Sequence, residues 1–268
     1  MSSMNRCQYA NAVCEIARTA GRRILEIYER SFTIEHKQDR SPLTEADRAA
    51  HDVISAGLQA LTPDIPVLSE ESAKADYAGR AGWNRFWLVD PLDGTKEFID
   101  RNGEFTVNIA LIENGRAVLG VVYVPVASLI YYACAGEGAF KKQGEAEARP
   151  VRVRRFNGGK PIVVASRSHA GPETEAFLKS LGEHDIVSMG SSLKLCLVAE
   201  GAADVYPRLG PTMEWDTAAA QCVVEVAGGS VTDLGRRSLV YNKSDLHNPW
   251  FIVSGAGGYD WHRHLPSA

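Results

Sequence analysis

The chain has 268 residues, of which 45% are hydrophobic and 23% charged, and its 29 basic and 33 acidic residues give a net charge of −4. This is the composition of a globular protein with a sizeable core, and it excludes intrinsic disorder, collagen and coiled coil. The charge balance argues against a partner such as a nucleic acid polymer, which would need a basic surface. It still allows one small anionic substrate, held by local cations or metals.

The first half of the chain has the pattern of helices followed by a largely antiparallel sheet. Apolar residues at spacings of three and four predict an amphipathic helix within 5–30, and the Ser-Pro-Leu-Thr segment at 41–44 is expected to start a second helix. Short apolar or alternating runs then predict strands at 66–68, 86–89, 105–112, 117–124 and 129–132. The Asn-Gly pair at 114–115 predicts a hairpin turn between two of them.

The second half alternates strands and helices. The polar stretch 141–155 predicts a loop or an edge hairpin, and after it the pattern of apolar residues changes to alternating strands and helices. Strands are expected at 162–165, 203–206 and 251–253, and helices at 173–181, 191–200 and 217–227. We therefore predict an α/β protein of two parts, an α+β part at 1–157 and an α/β part at 158–268.

Cysteine usage and the N-terminal sequence predict a cytoplasmic location. The five cysteines are scattered and form no C-x-x-C pair, which is typical of reduced, packed thiols rather than a disulfide framework or a zinc site. Charges interrupt residues 1–21, so we expect no signal peptide. Since no apolar run reaches the ~20 residues of a membrane span, we also expect no integral membrane segment.

The most informative segment is DPLDGT at 90–95, which follows an apolar strand. Asp90 and Asp93 stand where a proline and a glycine can bend the chain, so their carboxylates can converge. Converging carboxylates repel each other unless a cation lies between them, and their hard oxygens suit Mg²⁺. Gly94 permits close approach of the backbone to a ligand, and its N–H and that of Thr95 could bind an anion.

An ordinary turn explains the same letters, because Asp, Pro and Gly are common turn residues. Two further acidic sites weigh against that interpretation: Glu70 at the end of another short strand, and Asp216 at a helix start. Taken alone, Asp216 could be a helix cap and Glu70 a solvated charge.

In this order, the acidic pair at 70–71, the motif at 90–95 and the Trp-Asp pair at 215–216 resemble the inositol monophosphatase superfamily. That superfamily contains lithium-sensitive, magnesium-dependent phosphatases. The resemblance covers nearly the whole chain, and it implies a layered α-β-α-β-α sandwich.

Longer segments at 41–47, 87–111 and 166–169 are similar to one bacterial branch, the 3'(2'),5'-bisphosphate nucleotidases of the CysQ type. This resemblance implies removal of the 3'-phosphate of adenosine 3',5'-bisphosphate, giving AMP and phosphate. The same resemblance implies that the related 5'-phosphosulfate could be a second substrate and that the activity is linked to sulfur assimilation.

The resemblance also implies the metal ligands and the base. Glu70, Asp90 and the Leu92 carbonyl would bind one Mg²⁺, Asp90, Asp93 and Asp216 a second, and Glu70 could reach a third. Asp47 and Thr95 would orient and deprotonate the attacking water. Asp47 also fits a capping box with Thr44, and both roles can hold together.

Substrate contacts are implied in the same way. The predicted set comprises the metal-side residues Glu70, Leu92, Asp93, Gly94, Thr95 and Asp216, and the nucleotide-side residues Ser166, His169, Ser191, Lys194 and Arg208. Lys194 would face the phosphate that is not cleaved. For Arg208, a phosphate or purine contact and a surface charge remain equal alternatives.

Two other functions fit parts of the pattern. An inositol or sugar monophosphatase would share the metal acids, whereas a non-catalytic anion-binding regulatory protein would not need both Asp47 and Thr95. A monomer and a homodimer both remain open, and so does a peripheral association with the cytoplasmic face of the inner membrane.

Overall fold

The computed structural model describes residues 6–31, 34–36, 42–72, 76–166 and 171–266. Within these ranges the helices are α1 (Ala10–Tyr28), α2 (Glu45–Leu61), α3 (Tyr77–Arg80), α4 (Thr95–Ile99), α5 (Pro172–Leu181), α6 (Leu193–Ala199) and α7 (Glu214–Val226). Short 3₁₀ turns lie at Arg6–Tyr9, Glu70–Ser72 and Trp261–His264.

The strands in the same ranges are β1 (Ile34–His36), β2 (Pro42–Thr44), β3 (Val67–Ser69), β4 (Arg85–Asp93), β5 (Thr106–Glu113), β6 (Arg116–Val124), β7 (Leu129–Cys134), β8 (Gly138–Gln143), β9 (Arg149–Pro150), β10 (Ile162–Ser166), β11 (Asp185–Met189), β12 (Val205–Arg208), β13 (Ser230–Asp233) and β14 (Phe251–Ser254). β3 to β9 form a seven-stranded sheet in sequence order, antiparallel except for the β3–β4 pair. The second sheet has the order β11-β10-β12-β14-β13 and mixes parallel and antiparallel pairs.

Three apolar clusters stack these elements into five layers. Trp87 and Val89 of β4 pack with α1 and α2 on one face of the large sheet. Phe86 and Leu88 point to the other face, where α6 and α7 separate the two sheets, since successive strand residues alternate between faces. A third cluster, including Phe177 of α5, covers the outer face of the small sheet. The expected α/β sandwich with α-β-α-β-α layers is confirmed.

The predicted hairpin at 114–115 is present. Asn114 and Gly115 both have positive φ, 50° and 75°, as a tight turn between β5 and β6 requires. The stretch 141–155 forms an edge hairpin, in which β8 pairs with β9. Four strands, β1, β2, β11 and β13, were missed, and β2 lies in the segment that was interpreted as the start of a helix. β11 lies at a sheet edge and is largely exposed, so it lacks a hydrophobic pattern.

Two boundaries near the acidic motifs differ from the prediction. β4 continues past Asp90 to Asp93, with a register irregularity between them. Helix α7 begins at Glu214, three residues earlier than Thr217, so Asp216 lies inside its first turn. In both cases the strand or helix includes polar residues at one end. The pattern of apolar residues does not cover them, so it could not predict the true boundary.

The expectation of fully reduced thiols is wrong for one pair. Cys7 and Cys134 form a disulfide between the N-terminal 3₁₀ turn and the end of β7, with their Cα atoms 5.6 Å apart. The other three cysteines are free and buried, as predicted. Residues separated by 127 positions carry no local signal of being neighbours, so the sequence spacing could not reveal this pair.

The division at 157/158 stays a prediction, although the large sheet ends at Pro150 and the small sheet starts at Ile162. Among the described residues, none of the helices combines the length and the hydrophobicity that crossing a membrane would require.

Gly120 of β6 tests the contact between the large sheet and α7. A Cβ atom there would lie 2.2 Å from the Ala219 carbonyl oxygen, which is backbone and cannot rotate away. We expect Gly120→Ala to lower the free energy of unfolding by about 1–3 kcal/mol. Gly82→Ala is the control, because no atom lies within 4 Å of its Cβ position. Denaturant titration measures both, and equal stability of the two variants would contradict this packing.

Candidate active site

A pocket of about 230 Å³ opens where the end of β4 meets the N-terminal ends of α6 and α7 and the strand β12. It brings together nine of the predicted site residues from distant parts of the chain: Glu70, Asp93, Gly94, Thr95, Ser166, Ser191, Lys194, Arg208 and Asp216. Asp90 and Leu92 lie buried beside it, and Asp47 reaches it through Thr95.

The acidic motif bends in the way its composition allows. Alternate residues of a strand point to the same face of the sheet. Asp90 therefore lies on the same face as Phe86 and Leu88, toward α6 and α7. The Leu92 amide donates to Asp90 Oδ1 at 3.0 Å, closing the local bend. Gly94 then takes a left-handed conformation, with φ 93°, directly before α4. A residue with a side chain would be strained there, so the glycine fixes the turn that presents Thr95.

Burial and electrostatic repulsion together disfavour the ionised carboxylates on the acidic side of the pocket, which comprises Glu70, Asp90, Asp93 and Asp216. Burial raises the pKa of Asp90 well above its usual value, and the neighbouring Glu70, Asp93 and Asp216 raise it further. Burial likewise raises the pKa of Asp216, with Asp93 and Glu70 adding to the effect. The four acids therefore lie close enough for their negative charges to repel one another.

The type and charge of these acids fit a divalent cation. Carboxylates and a carbonyl oxygen are the ligands of Mg²⁺, and a cation between them would relieve the repulsion. They do not yet form a finished ligand set: among the residues described, no three or more His, Cys, Asp or Glu side chains are grouped so that they could hold a metal ion. Binding would therefore require the side chains to draw together.

Asp47 has two roles in the geometry. Its Oδ2 accepts hydrogen bonds from the Thr44 amide at 2.7 Å and from the Thr44 hydroxyl at 2.6 Å, which is the predicted capping box of α2. Its Oδ1 accepts from the Thr95 hydroxyl at 3.4 Å. The cap fixes the carboxylate, and the second oxygen remains directed at Thr95.

Lys194 and Arg208 also line the pocket, and they form what we call its basic side. Lys194 Nζ donates to the Ser191 carbonyl at 2.6 Å and lies over the Tyr206 ring. Burial lowers the pKa of Lys194 to about 8, with Asp93 opposing and Arg208 adding to that shift. Arg208 donates from Nη2 to the Pro211 carbonyl, while its buried Nε has no hydrogen-bond partner in the described part of the chain.

One predicted contact, His169, lies outside the described residues. The pocket also contains residues that the sequence interpretation missed: Lys96, Glu97, Ser192, Leu195, Thr212, Thr217 and Phe251 line it, together with Tyr206. Ser192 and Tyr206 are direct neighbours of predicted residues in the sequence or along a strand, which is the signal that could have found them. Phe251 is brought in by β14 alone and had no such signal.

Asp90→Asn tests the repulsion. The raised pKa of Asp90 means that its ionisation costs stability progressively as the pH rises from about 4, and costs nothing below the ordinary carboxyl pKa. An Asn oxygen still accepts the Leu92 amide. In EDTA at pH 7 we therefore expect the variant to have a higher free energy of unfolding than the wild-type protein.

That gain should shrink toward pH 4, and Mg²⁺ should raise the melting temperature of the wild-type protein more than that of the variant. Thermal melting at several pH values measures both effects. A variant that is less stable in EDTA, with an unchanged response to Mg²⁺, would contradict the acidic cluster.

The chain matches the inositol monophosphatase family over residues 5–258. It is 53% identical over 245 residues to the 3'(2'),5'-bisphosphate nucleotidase CysQ of Salmonella typhimurium, covering 90% of this chain and 98% of that protein. The CysQ protein of Escherichia coli K12 is 51% identical over the same shares.

Solved structures agree with this relationship. The crystal structure of CysQ from Bacteroides thetaiotaomicron is similar with a TM-score of 0.83 at 46% identity, covering 94% of this chain and 99% of that one. An inositol monophosphatase from Anabaena gives a TM-score of 0.79 at 25% identity, with 98% of each chain covered. With its layered fold and the acidic motif at the end of β4, this chain belongs to the inositol monophosphatase family.

Proposed function

We propose that this protein is a Mg²⁺-dependent 3'(2'),5'-bisphosphate nucleotidase that hydrolyses adenosine 3',5'-bisphosphate to AMP and phosphate. The related 5'-phosphosulfate would be a second substrate, and the activity would serve sulfur assimilation. Support comes from the CysQ relatives, which are more than 50% identical over 90% of this chain, and from the chemistry of the pocket.

The observation that carries the proposal is a pocket whose lining combines acidic and basic groups. Glu70, Asp93 and Asp216 line it together with Lys194 and Arg208. In the described part of the chain neither cation forms an ion pair with a carboxylate. A bisphosphate has one phosphate for the acids with their metal ions and one for the two cations, whereas an inositol or sugar monophosphate has no second phosphate for the two cations.

On the acidic side, Glu70, Asp90, Asp93, Asp216 and the Leu92 carbonyl would hold two Mg²⁺ ions, and Glu70 could reach a third. Bound Mg²⁺ would neutralise charge on the phosphoryl oxygens and on the leaving oxygen, and would lower the pKa of the attacking water. The amides of Gly94 and Thr95 would face the cleaved phosphate from the turn before α4.

Thr95 and Asp47 would act together as the base. The Thr95 hydroxyl accepts the proton of the attacking water while its own proton passes to Asp47 Oδ1. Their present separation of 3.4 Å is long and would shorten in the complex. The water oxygen forms the new bond to phosphorus, the 3'-oxygen leaves with the bonding pair, and a proton returns to it to give the alcohol and phosphate.

On the basic side, Ser191, Lys194 and Arg208 would bind the phosphate that is not cleaved, and Ser166 and His169 would contact the nucleoside. With a pKa of about 8, Lys194 is mostly protonated at neutral pH. A cytoplasmic location, alone or at the inner membrane face, and a monomeric or homodimeric state complete the proposal.

Phosphate release tests the function. Adenosine 3',5'-bisphosphate, 3'-AMP and inositol 1-phosphate are compared by kcat/KM, each with Mg²⁺ and with EDTA. We expect the bisphosphate to be the best substrate and EDTA to abolish turnover. A preference for inositol 1-phosphate would favour the monophosphatase alternative, and no release from any substrate would favour a non-catalytic anion-binding protein.

The base pair is tested with Thr95→Ala and Asp47→Asn. Each should reduce kcat by about 10²–10⁴, the usual contribution of a general base, with little change in KM. If the two residues act as one unit, the double variant is hardly slower than the slower single variant. Fully additive losses would show that they work independently.

Lys194→Ala tests the basic side. A charge-assisted contact to phosphate is worth roughly 1.5–3 kcal/mol, so kcat/KM for the bisphosphate should fall about tenfold to a hundredfold. Turnover of 3'-AMP should change much less, since it lacks the second phosphate. Lys179→Ala, on the exposed surface of α5, is the matched control. Equal losses on both substrates would place Lys194 at the cleaved phosphate.

A further inference from the structure

Ser192 stands at the start of α6 but does not behave as a helix cap. Its side chain makes no capping hydrogen bond, although serine at this position usually does. Instead the side chain is 2% exposed and points toward the large, seven-stranded sheet. Its hydroxyl donates to Asn108 Oδ1 at 2.8 Å and lies 2.9 Å from the Thr106 hydroxyl, both on β5.

These contacts fix the direction of each hydrogen bond. Because the single Ser192 hydroxyl proton goes to Asn108 Oδ1, Thr106 is the donor in the Thr106–Ser192 contact. With Oδ1 of Asn108 used in this way, its Nδ2 is turned to Asp93 Oδ2, 3.3 Å away. Because a carboxylate can only accept, Asp93 requires Nδ2 to face it, and the Ser192 hydroxyl supports that orientation by donating to Oδ1.

The Ser192 backbone reaches the same carboxylate oxygen. Its amide donates to Asp93 Oδ2 at 2.5 Å, and Thr106 Oγ1 lies 3.4 Å from that oxygen. In the described part of the chain, the Asn108 amide and the Ser192 backbone amide thus both donate to the Oδ2 atom of the Asp93 side chain. Oδ1 is left as the oxygen that a cation can use.

The basic side of the pocket depends on the same serine. Ser191, directly before it, has φ 46°, a left-handed conformation that a non-glycine residue keeps only when its surroundings hold it. Lys194 donates to the carbonyl of this Ser191. Ahead of both, the Gly190 amide donates to Glu104 Oε2 at 2.7 Å. Ser192 anchors this segment to β5 on its other side.

We infer that Ser192 is a positioning residue that holds the Asp93 carboxylate and the Ser191–Lys194 turn in one geometry. It acts through Asn108 on the acidic side and through the backbone on the basic side. This inference rests on the proposed function, because it takes Asp93 as a metal ligand and Lys194 as a phosphate contact.

Ser192→Ala tests the inference on the whole protein. Mg²⁺ binding is measured by calorimetry with the metal alone, and kcat and KM are measured for adenosine 3',5'-bisphosphate and 3'-AMP. Removing a group that orients a metal ligand usually costs about 10- to 100-fold in affinity or activity. We therefore expect the Mg²⁺ Kd to rise about tenfold and the preference for the bisphosphate to fall with it.

Two further variants separate positioning from stability. Ser230→Ala is the matched control, because it also removes one hydroxyl–hydroxyl contact, to Ser254 at 3.0 Å, outside the pocket. It should leave the Mg²⁺ Kd and the substrate preference unchanged. Ser192→Cys keeps the size with a weaker donor, and it should lie between wild type and Ala, or serve in place of Ala if that variant does not fold.

A Ser192 variant with a lowered melting temperature, but with Mg²⁺ Kd and bisphosphate preference as in wild type, would overturn the inference. A wild-type protein that does not hydrolyse the bisphosphate would instead overturn the proposed function. In that case the Mg²⁺ titration would still decide whether Ser192 positions Asp93, so the two failures can be told apart.

Discussion

Repulsion among four carboxylates around one pocket is the constraint on which the rest of the site depends. Asp90 is buried near Glu70, Asp93 and Asp216, so both the loss of solvation and the repulsion by these acids disfavour its ionised form. The fold answers with oriented donors: the Leu92 amide for Asp90, the Ser192 amide for Asp93 and the Met213 amide for Asp216. These lessen the repulsion without removing it, which is why the site suits a cation.

The same constraint explains why the acids come from different elements. A single strand can place Asp90 on the face between the sheets, and the register irregularity of β4 brings Asp93 near it. Glu70 enters from the turn after β3 and Asp216 from the first turn of α7. At that position the positive end of the helix dipole favours a carboxylate. Burial of each carboxylate and the repulsion among them both make their ionised forms costly.

Asp47 and Ser192 show how a residue can serve both the fold and the site. Asp47 uses one oxygen to cap α2 and leaves the other for Thr95. Ser192 gives up the capping bond that its position offers and joins α6 to β5. In both cases a hydrogen bond that stabilises an element also sets the direction of a group in the pocket.

By itself the sequence determined most of the local structure and the chemistry of the site. Its apolar periodicity marked both long N-terminal helices and most strands, because burial selects side chains residue by residue along an element. Its acidic motifs pointed to the carboxylates only in combination, because an ordinary turn also explains the motif at 90–95 when that motif is taken alone. Polar edge strands such as β11 carry no such pattern and were missed.

Only the tertiary structure decided what depends on distant residues meeting. It joined Cys7 to Cys134, brought Phe251 and Thr212 to the pocket, and directed Ser192 toward Asn108 rather than toward its own helix. It also buried Lys194 in the pocket near Asp93, where burial lowers the pKa of the lysine to about 8. These contacts join residues that are tens to more than a hundred positions apart in the sequence. The periodicity of apolar residues shows which face of an element is buried, but it does not show which other element that face packs against.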